Sequence, residues 1–234
     1  ASLTVMDASE YNLYSIDMEL SRLLPGRHQA RLGDVRDMKR VSDIMAHAKP
    51  DVVIHAAALK HVPLMESHPR TVLRTNVIGT LNIGRAAQAA GAERFVLIST
   101  DKAVDPVSVY GVTKLLAEHV TARLAVESVI TLFTSVRFGN VLGSRGSVAP
   151  LFERQIAAGG PVTVTHRDIT RFYMTIPEAV RLVIQAAVFT QGGARQFCCK
   201  SEYLMRSGVA LFWSDFYDGF EFRSYLTGLG YRVY

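Results

Sequence analysis

Residues 94–114 decide the fold: Arg94-Phe95-Val96-Leu97-Ile98-Ser99-Thr100-Asp101-Lys102-Ala103-Val104-Asp105-Pro106-Val107-Ser108-Val109-Tyr110-Gly111-Val112-Thr113-Lys114. Phe95 to Ile98 are bulky or β-branched apolar residues without alternation, ended by two hydroxyls. That pattern predicts a parallel strand buried on both faces. The polar residues Ser99 to Lys102 then fall at the strand's carboxyl end, where open α/β sheets bind their ligands. Asp105-Pro106 breaks the chain, and a helical pattern begins near Tyr110. Tyr110 and Lys114 stand at i and i+4, on one helix face.

These residue types suit proton and hydride handling. A free tyrosine loses its proton near pH 10, about three pH units too high for a base in a cell. That gap corresponds to roughly 4 kcal/mol, the scale on which one close ammonium acts in a partly desolvated site. Lys114 is therefore expected to lower the proton affinity of Tyr110, with the Thr100 hydroxyl on the same substrate oxygen. Asp101 and Lys102 offer an acid and a base for a second proton transfer. A Tyr-x-x-x-Lys pair alone is common and usually an exposed helical pair. The preceding strand and the Thr-Asp-Lys turn favour chemistry.

Ser99-Thr100-Asp101-Lys102-Ala103 with Tyr110-Gly111-x-Thr113-Lys114 resembles the extended short-chain dehydrogenase/reductase superfamily. Three further stretches extend the likeness: His55-Ala56-Ala57-Ala58-Leu59-Lys60-His61-Val62-Pro63-Leu64-Met65-Glu66, Arg137 to Val148, and Pro161 to Thr165 with Thr170-Arg171-Phe172. Within the superfamily the chain resembles the polysaccharide-biosynthesis (CapD-like) UDP-N-acetylglucosamine 4,6-dehydratases, over about residues 1 to 190. The resemblance implies an α/β fold, a Rossmann-like doubly wound parallel sheet with a small C-terminal substrate lobe. It also implies NADP or NAD as cofactor, a UDP-sugar as substrate, and homo-oligomers among intact relatives.

Read in order, Leu3 to Asp7 is a short strand ending in an acid, and Ser9-Glu10 opens a helix to about Leu24. In a dinucleotide fold, Asp7 would hold the adenosine ribose, with Ser9 beside it. Taken alone, Asp7 reads equally well as a turn or capping acid. By that ribose rule Asp7 favours NAD, while the resemblance leans to NADP. The superfamily's first strand and its G-x-x-G-x-x-G phosphate loop would lie before Leu3, and no other glycine cluster replaces them. The expectation is a fragment whose sheet lacks its first strand, with 1–142 an incomplete nucleotide-binding domain, 143–193 the substrate lobe and 194–234 a divergent tail.

Asp34 and Val35 resemble the pair that holds adenine, although Asp34 could simply cap the helix from Met38 to Ala48. Ala56, Ala57 and Ala58 follow the strand ending at His55, and small residues there allow close cofactor approach. Lys60 is expected at the mouth of the site, on cofactor or substrate. His61 beside it has no ligand-type neighbours that would make a metal site. Asn76, weak in a helix interior, supports the active-site lysine through its carbonyl or a water if the resemblance holds; a solvated helix residue is the alternative. A strand from Thr131 to Arg137 delivers Asn140 and a Gly/Ser loop containing Arg145, Ser147 and Val148, suited to a phosphate. Pro161 to Thr165 reads as a strand, and Arg171 after it is a second diphosphate contact; either arginine could instead be a structural ion pair.

The resemblance implies a mechanism. Tyr110, with Lys114 and Thr100, deprotonates the sugar 4-hydroxyl as hydride leaves C4. Lys102 then takes the C5 proton, Asp101 protonates the departing 6-hydroxyl, and hydride returns to C6. Lys102, where ordinary 4,6-dehydratases carry Glu, favours the C5-inverting variant. The alternatives are a nucleotide-sugar 4-epimerase or reductase using only Thr100, Tyr110 and Lys114, and an inactive remnant or assembly module.

Composition fits. The chain has 234 residues, 49% hydrophobic, with net charge +5 and no basic run, which speaks against nucleic acid. No apolar stretch is long enough for a membrane span. Cys198 and Cys199 are adjacent, unsuited to a disulfide framework or zinc. A cytoplasmic location follows, the parent protein being associated with the inner membrane if it is built like some relatives. Aromatic residues crowd the tail after Ala194, for which the sequence suggests no role.

Overall fold

The computed structural model describes residues 2–144, 148–164, 173–189 and 195–198. Four βα units lead the chain. Strand β1 (Leu3–Asp7) is followed by α1 (Glu10–Leu23), and β2 (His28–Leu32) by α2 (Met38–Ala48). Strand β3 (Val52–His55) leads through α3 (Val62–Glu66) and α4 (Pro69–Leu73) into a π-turn at Arg74–Ile78 and α5 (Gly79–Ala89). Strand β4 (Arg94–Thr100) is joined by a 3₁₀ turn (Asp101–Ala103) to α6 (Val109–Glu127). Then come β5 (Leu132–Phe138), β6 (Asn140–Val141), α7 (Val148–Ala157), β7 (Tyr173–Met174), α8 (Ile176–Phe189) and β8 (Arg195–Cys198).

All the pairings are parallel, in the order β3-β4-β5-β8 for the main ladder, with β1-β2 and β6-β7 as separate pairs. Parallel strands need helical crossovers, and the α/β alternation supplies them. Among the described residues β1 pairs only with β2, and β3 only with β4.

Strand β4 shows why the unbroken apolar run predicted a buried strand. Phe95 and Leu97 point into a core shared with Ile83, Ala86 and Ala87 of α5 and Ala117 and Leu124 of α6. Val96, on the opposite face, packs with Val136 and with Val183, Ala186 and Ala187 of α8. Side chains alternate across a strand, so each helix layer takes one parity. Phe95 and Phe133 bring their rings to 5.0 Å at 40°, a tilted contact at a separation common for aromatic pairs. On β3 only one parity is covered: Val53 and His55 are buried, whereas Val52 and Ile54 are exposed.

Helix α7 starts at Val148 with Pro150 in its first turn, where a missing N–H costs nothing. One segment differs from the sequence expectation. Residues 161–164 form no strand: Gln155 of α7 accepts from the Thr163 amide at 3.1 Å and donates to its hydroxyl at 2.8 Å. The amide that a strand would use is already satisfied. Arg145, Ser147, Thr165, Arg171 and the tail beyond Cys198 lie outside the described residues, as does any side-chain statement about Val148.

Candidate active site

The site is built where β4 ends. Three successive β4 residues each meet a side chain from one stripe of α6. Thr100 hydrogen-bonds the Tyr110 phenol, the Ile98 carbonyl accepts from Lys114 Nζ at 2.5 Å, and the Ser99 hydroxyl donates to Glu118 at 2.5 Å. Tyr110, Lys114 and Glu118 are spaced i, i+4, i+8, so one helix face carries all three.

Local sequence fixes the start of α6. Asp105 takes a left-handed φ of 43°, which Asp tolerates better than most residues, and turns the chain at Pro106. Ser108 caps the helix by accepting from the Gly111 amide at 3.1 Å, and Glu66 accepts from the Val109 amide at 2.8 Å. Gly111 lets the helix lie against the preceding turn: a Cβ there would sit 2.3 Å from the Lys102 carbonyl oxygen. The turn bearing Asp101 and Lys102 is thus held against the turn bearing Tyr110.

In the cluster itself, Thr100 donates to Asp101 Oδ1 at 3.0 Å and Lys102 Nζ donates to the same oxygen at 3.0 Å. Lys102 also donates to Asn140 Oδ1 at 3.2 Å. A phenol, a hydroxyl, a carboxyl, an amine and an amide therefore share one strand tip. Lys114 is buried, which lowers its proton affinity to a pKa of about 8, and Glu118 opposes that fall. His55, buried beneath, is lowered to about 3 by desolvation and by the Lys114 charge, so it is neutral.

Tyr110 departs from the expectation. Burial raises its pKa above the ordinary value, the Thr100 hydrogen bond pulls it down, and the charge of Asp101 pushes it up again. Lys114 is not among the groups that shift Tyr110; its Nζ donates to the Ile98 carbonyl. Asn76 is buried in the π-turn rather than solvated, and its carbonyl accepts the Thr80 hydroxyl at 2.6 Å. Its side chain brackets Leu59, accepting from the amide at 2.8 Å and donating to the carbonyl at 3.0 Å, and donates to Thr113 at 3.1 Å. Asn76 therefore ties the loop after β3 to α6. Such π-turns often mark functional sites.

The adenosine end lies at the tips of β1 and β2. Asp7 accepts from the Ser9 amide at 2.7 Å. Asp34 accepts from the Arg36 amide and is held doubly by the Arg36 guanidinium, which keeps its carboxyl below the ordinary range. Val35 is buried against Gly79, and its carbonyl accepts from Asn82 at 2.9 Å. Ala56 and Ala57 are exposed after β3, Ala58 is half-buried and Lys60 is exposed. Ser99, Gly111 and Arg137 stand in the sequence only as parts of longer motifs with no role of their own, and Glu118 is not singled out there. The signal was the acid at i+4 from Lys114 on an otherwise buried face.

A parallel α/β sheet whose fourth strand ends in Thr-Asp-Lys, followed at once by a Tyr-x-x-x-Lys helix, defines an extended short-chain dehydrogenase/reductase. The chain belongs to the polysaccharide biosynthesis protein family, whose model matches residues 1–202. It is 49% identical over 193 residues to the capsular polysaccharide biosynthesis protein CapD of Staphylococcus aureus, covering 82% of this chain and 32% of that protein. It is 40% identical over 165 residues to an inverting UDP-N-acetylglucosamine 4,6-dehydratase of Campylobacter jejuni, covering 69% of this chain and 49% of the relative. Among solved structures, Pen from Bacillus thuringiensis superposes with a TM-score of 0.77 at 38% identity, over 83% of this chain and 60% of that one. The chain thus spans about a third of the first of these curated relatives and about half of the second. Nucleotide-sugar dehydratases and epimerases make up this family, and polysaccharide biosynthesis is its setting. No helix among the described residues is long and apolar enough to cross a membrane.

Proposed function

We propose that this chain carries the chemistry of a UDP-N-acetylglucosamine-type 4,6-dehydratase of the C5-inverting kind. One observation carries the reading: two proton-transfer sets share the tip of β4, Tyr110 with Thr100 and Asp101 with Lys102, all within hydrogen-bonding chains of one another. An epimerase or reductase needs only the first set.

The residues present fit the two ends of a nicotinamide dinucleotide. Asp7, Asp34 and Val35 would hold the adenosine, and Tyr110 and Lys114 the nicotinamide ribose. Asp7 at the end of β1 suits an unphosphorylated ribose, hence NAD. No glycine-rich turn for the pyrophosphate occurs among the described residues. When bound, the dinucleotide supplies a hydride acceptor for C4 and a donor for C6. Tyr110 in its ionised form, which the positive charge of a bound oxidised nicotinamide would favour, would take the proton of the sugar 4-hydroxyl, with Thr100 donating to the same oxygen. Lys114 lies one turn below with its ammonium favoured under pH 8. A ketone at C4 acidifies C5; Lys102 removes that proton once it is neutral, and Asp101 protonates the leaving 6-hydroxyl. Asn140 orients the Lys102 amine. We assign the UDP diphosphate to Arg145 and Arg171 on the character of their loops.

The test is Lys102→Ala in the protein supplied with NAD and UDP-N-acetylglucosamine. Dinucleotide binding should persist while loss of water from the sugar stops. Undiminished dehydration by the variant would overturn the role of Lys102, and a C4 epimer as the wild-type product would favour the epimerase reading.

A further inference from the structure

Beneath the proton-transfer cluster lies a second set of ionised groups with no part in the scheme above. Glu118 is 2% exposed and Arg137 6%. Arg137 donates to Glu118 through Nε at 2.9 Å and through its terminal nitrogen at 2.6 Å, a two-point grip on both carboxylate oxygens. Ser99 adds a third donor. Ser99 and Arg137 are register partners across β4 and β5, so one carboxylate from α6 clamps two adjacent strands. Burying an ion pair recovers little net stability against its desolvation, while breaking one is costly. A purely structural staple at this point would be as well served by apolar side chains.

Glu118 sits one helical turn from Lys114, and Arg137 leads through Phe138 and Gly139 to Asn140, which holds Lys102. We propose that Glu118, locked by Arg137 and Ser99, is a positioning residue that supplies the counter-charge for Lys114 and fixes the face of α6 that carries Tyr110. The proposal rests on the reading of Lys114 as a group that meets cofactor or sugar. Around Lys114 the charged and titratable groups are Tyr110 and Glu118 on α6, neutral His55 from β3, Asp101 and Lys102 at the end of β4, and Arg137 from β5 through Glu118. Of these, Glu118 is the one that favours the ammonium, against burial. Without it, Lys114 would be neutral over more of the physiological range.

The test reads charge, not turnover. In the full chain labelled with ¹³C in its lysine and glutamate side chains, Lys114 should titrate near pH 8, and the Glu118 carboxyl carbon should show a step at the same midpoint. In Glu118→Gln the Lys114 midpoint should fall by about one pH unit or more. If that variant does not fold, Glu118→Gln with Arg137→Met removes both buried charges and should show a smaller fall in the same direction. A Glu118 signal that ignores the Lys114 titration in the wild type, or an unmoved Lys114 midpoint in a folded variant, overturns the proposal. A failed dehydratase assay leaves this coupling intact, and a failed coupling leaves the catalytic roles intact, so the two are told apart.

Discussion

Replacing Gly111 with Ala tests the close approach on which the site geometry depends. Glycine within a helix costs about 1 kcal/mol relative to alanine, so propensity alone predicts a stabilised variant. The added methyl group, however, would lie 2.3 Å from the Lys102 carbonyl oxygen and 3.0 Å from Pro106 Cβ. The first distance is about 1 Å short of ordinary contact. The obstructing atom is backbone, rooted in the 3₁₀ turn and in β4, so no side-chain rotation relieves it. Overpacking of this kind costs about 1–3 kcal/mol, which exceeds the propensity gain. The expected result is a net loss of about 1–2 kcal/mol in urea unfolding, read as a lower midpoint at unchanged slope. Activity should fall further than stability does, because a displacement of about 1 Å between Tyr110 and Lys102 can cost about 10²-fold. A Gly111→Ala protein stabilised by about 1 kcal/mol with full activity would show that α6 does not lean on the Lys102 turn.

Three further outcomes follow from the buried polar groups. His55 is neutral when folded, with its pKa lowered to about 3. The unfolded chain therefore binds the extra proton between about pH 6.5 and pH 3, and stability is lost as pH falls through that window, by on the order of 4–5 kcal/mol in full. His55→Gln should flatten the difference when urea unfolding is compared at pH 7 and pH 4. Asn76→Ala removes the bracket on Leu59 and the bond to Thr113, and should cost about 2–3 kcal/mol, with faster amide exchange at Leu59 as the specific sign. Lys114, lowered to about 8 against its ordinary 10.5, binds fewer protons when folded than when unfolded between those values. Stability should therefore rise with pH from about 8 to 10.5, while activity that needs the ammonium falls over the lower part of the same range. Parallel loss of both would contradict the placement of Lys114.

Much of the architecture was legible because it rests on short-range pattern. The run Phe95 to Ile98 named a strand with two covered faces, and the hydroxyls after it marked where the strand meets solvent. Helix α6 was found from the spacing of Tyr110 and Lys114. What could not be read depends on which face of an element is covered and by what. The buried stripe of α6 carries Thr113, Lys114, Glu118 and Thr121, so apolar periodicity cannot reveal it. Only the fold shows that Arg137 of β5 closes on Glu118. The direction of the Tyr110 shift is set first by how deeply the fold buries the phenol, which spacing does not encode. Asn76 read as a helix residue because a π-turn has no pattern of its own. The 161–164 segment read as a strand from its β-branched residues, but the Gln155 side chain, eight residues earlier in α7, had already taken the Thr163 amide.

The central claim is that phenol, carboxyl and amine at the end of β4 work on a single sugar ring. Its most direct test is the mass of the sugar nucleotide formed from UDP-N-acetylglucosamine with NAD in deuterated water. The account predicts a product lighter by one water and carrying a solvent deuteron at C5, with both changes absent in Lys102→Ala. A product of unchanged mass, or water loss that survives that substitution, would contradict it.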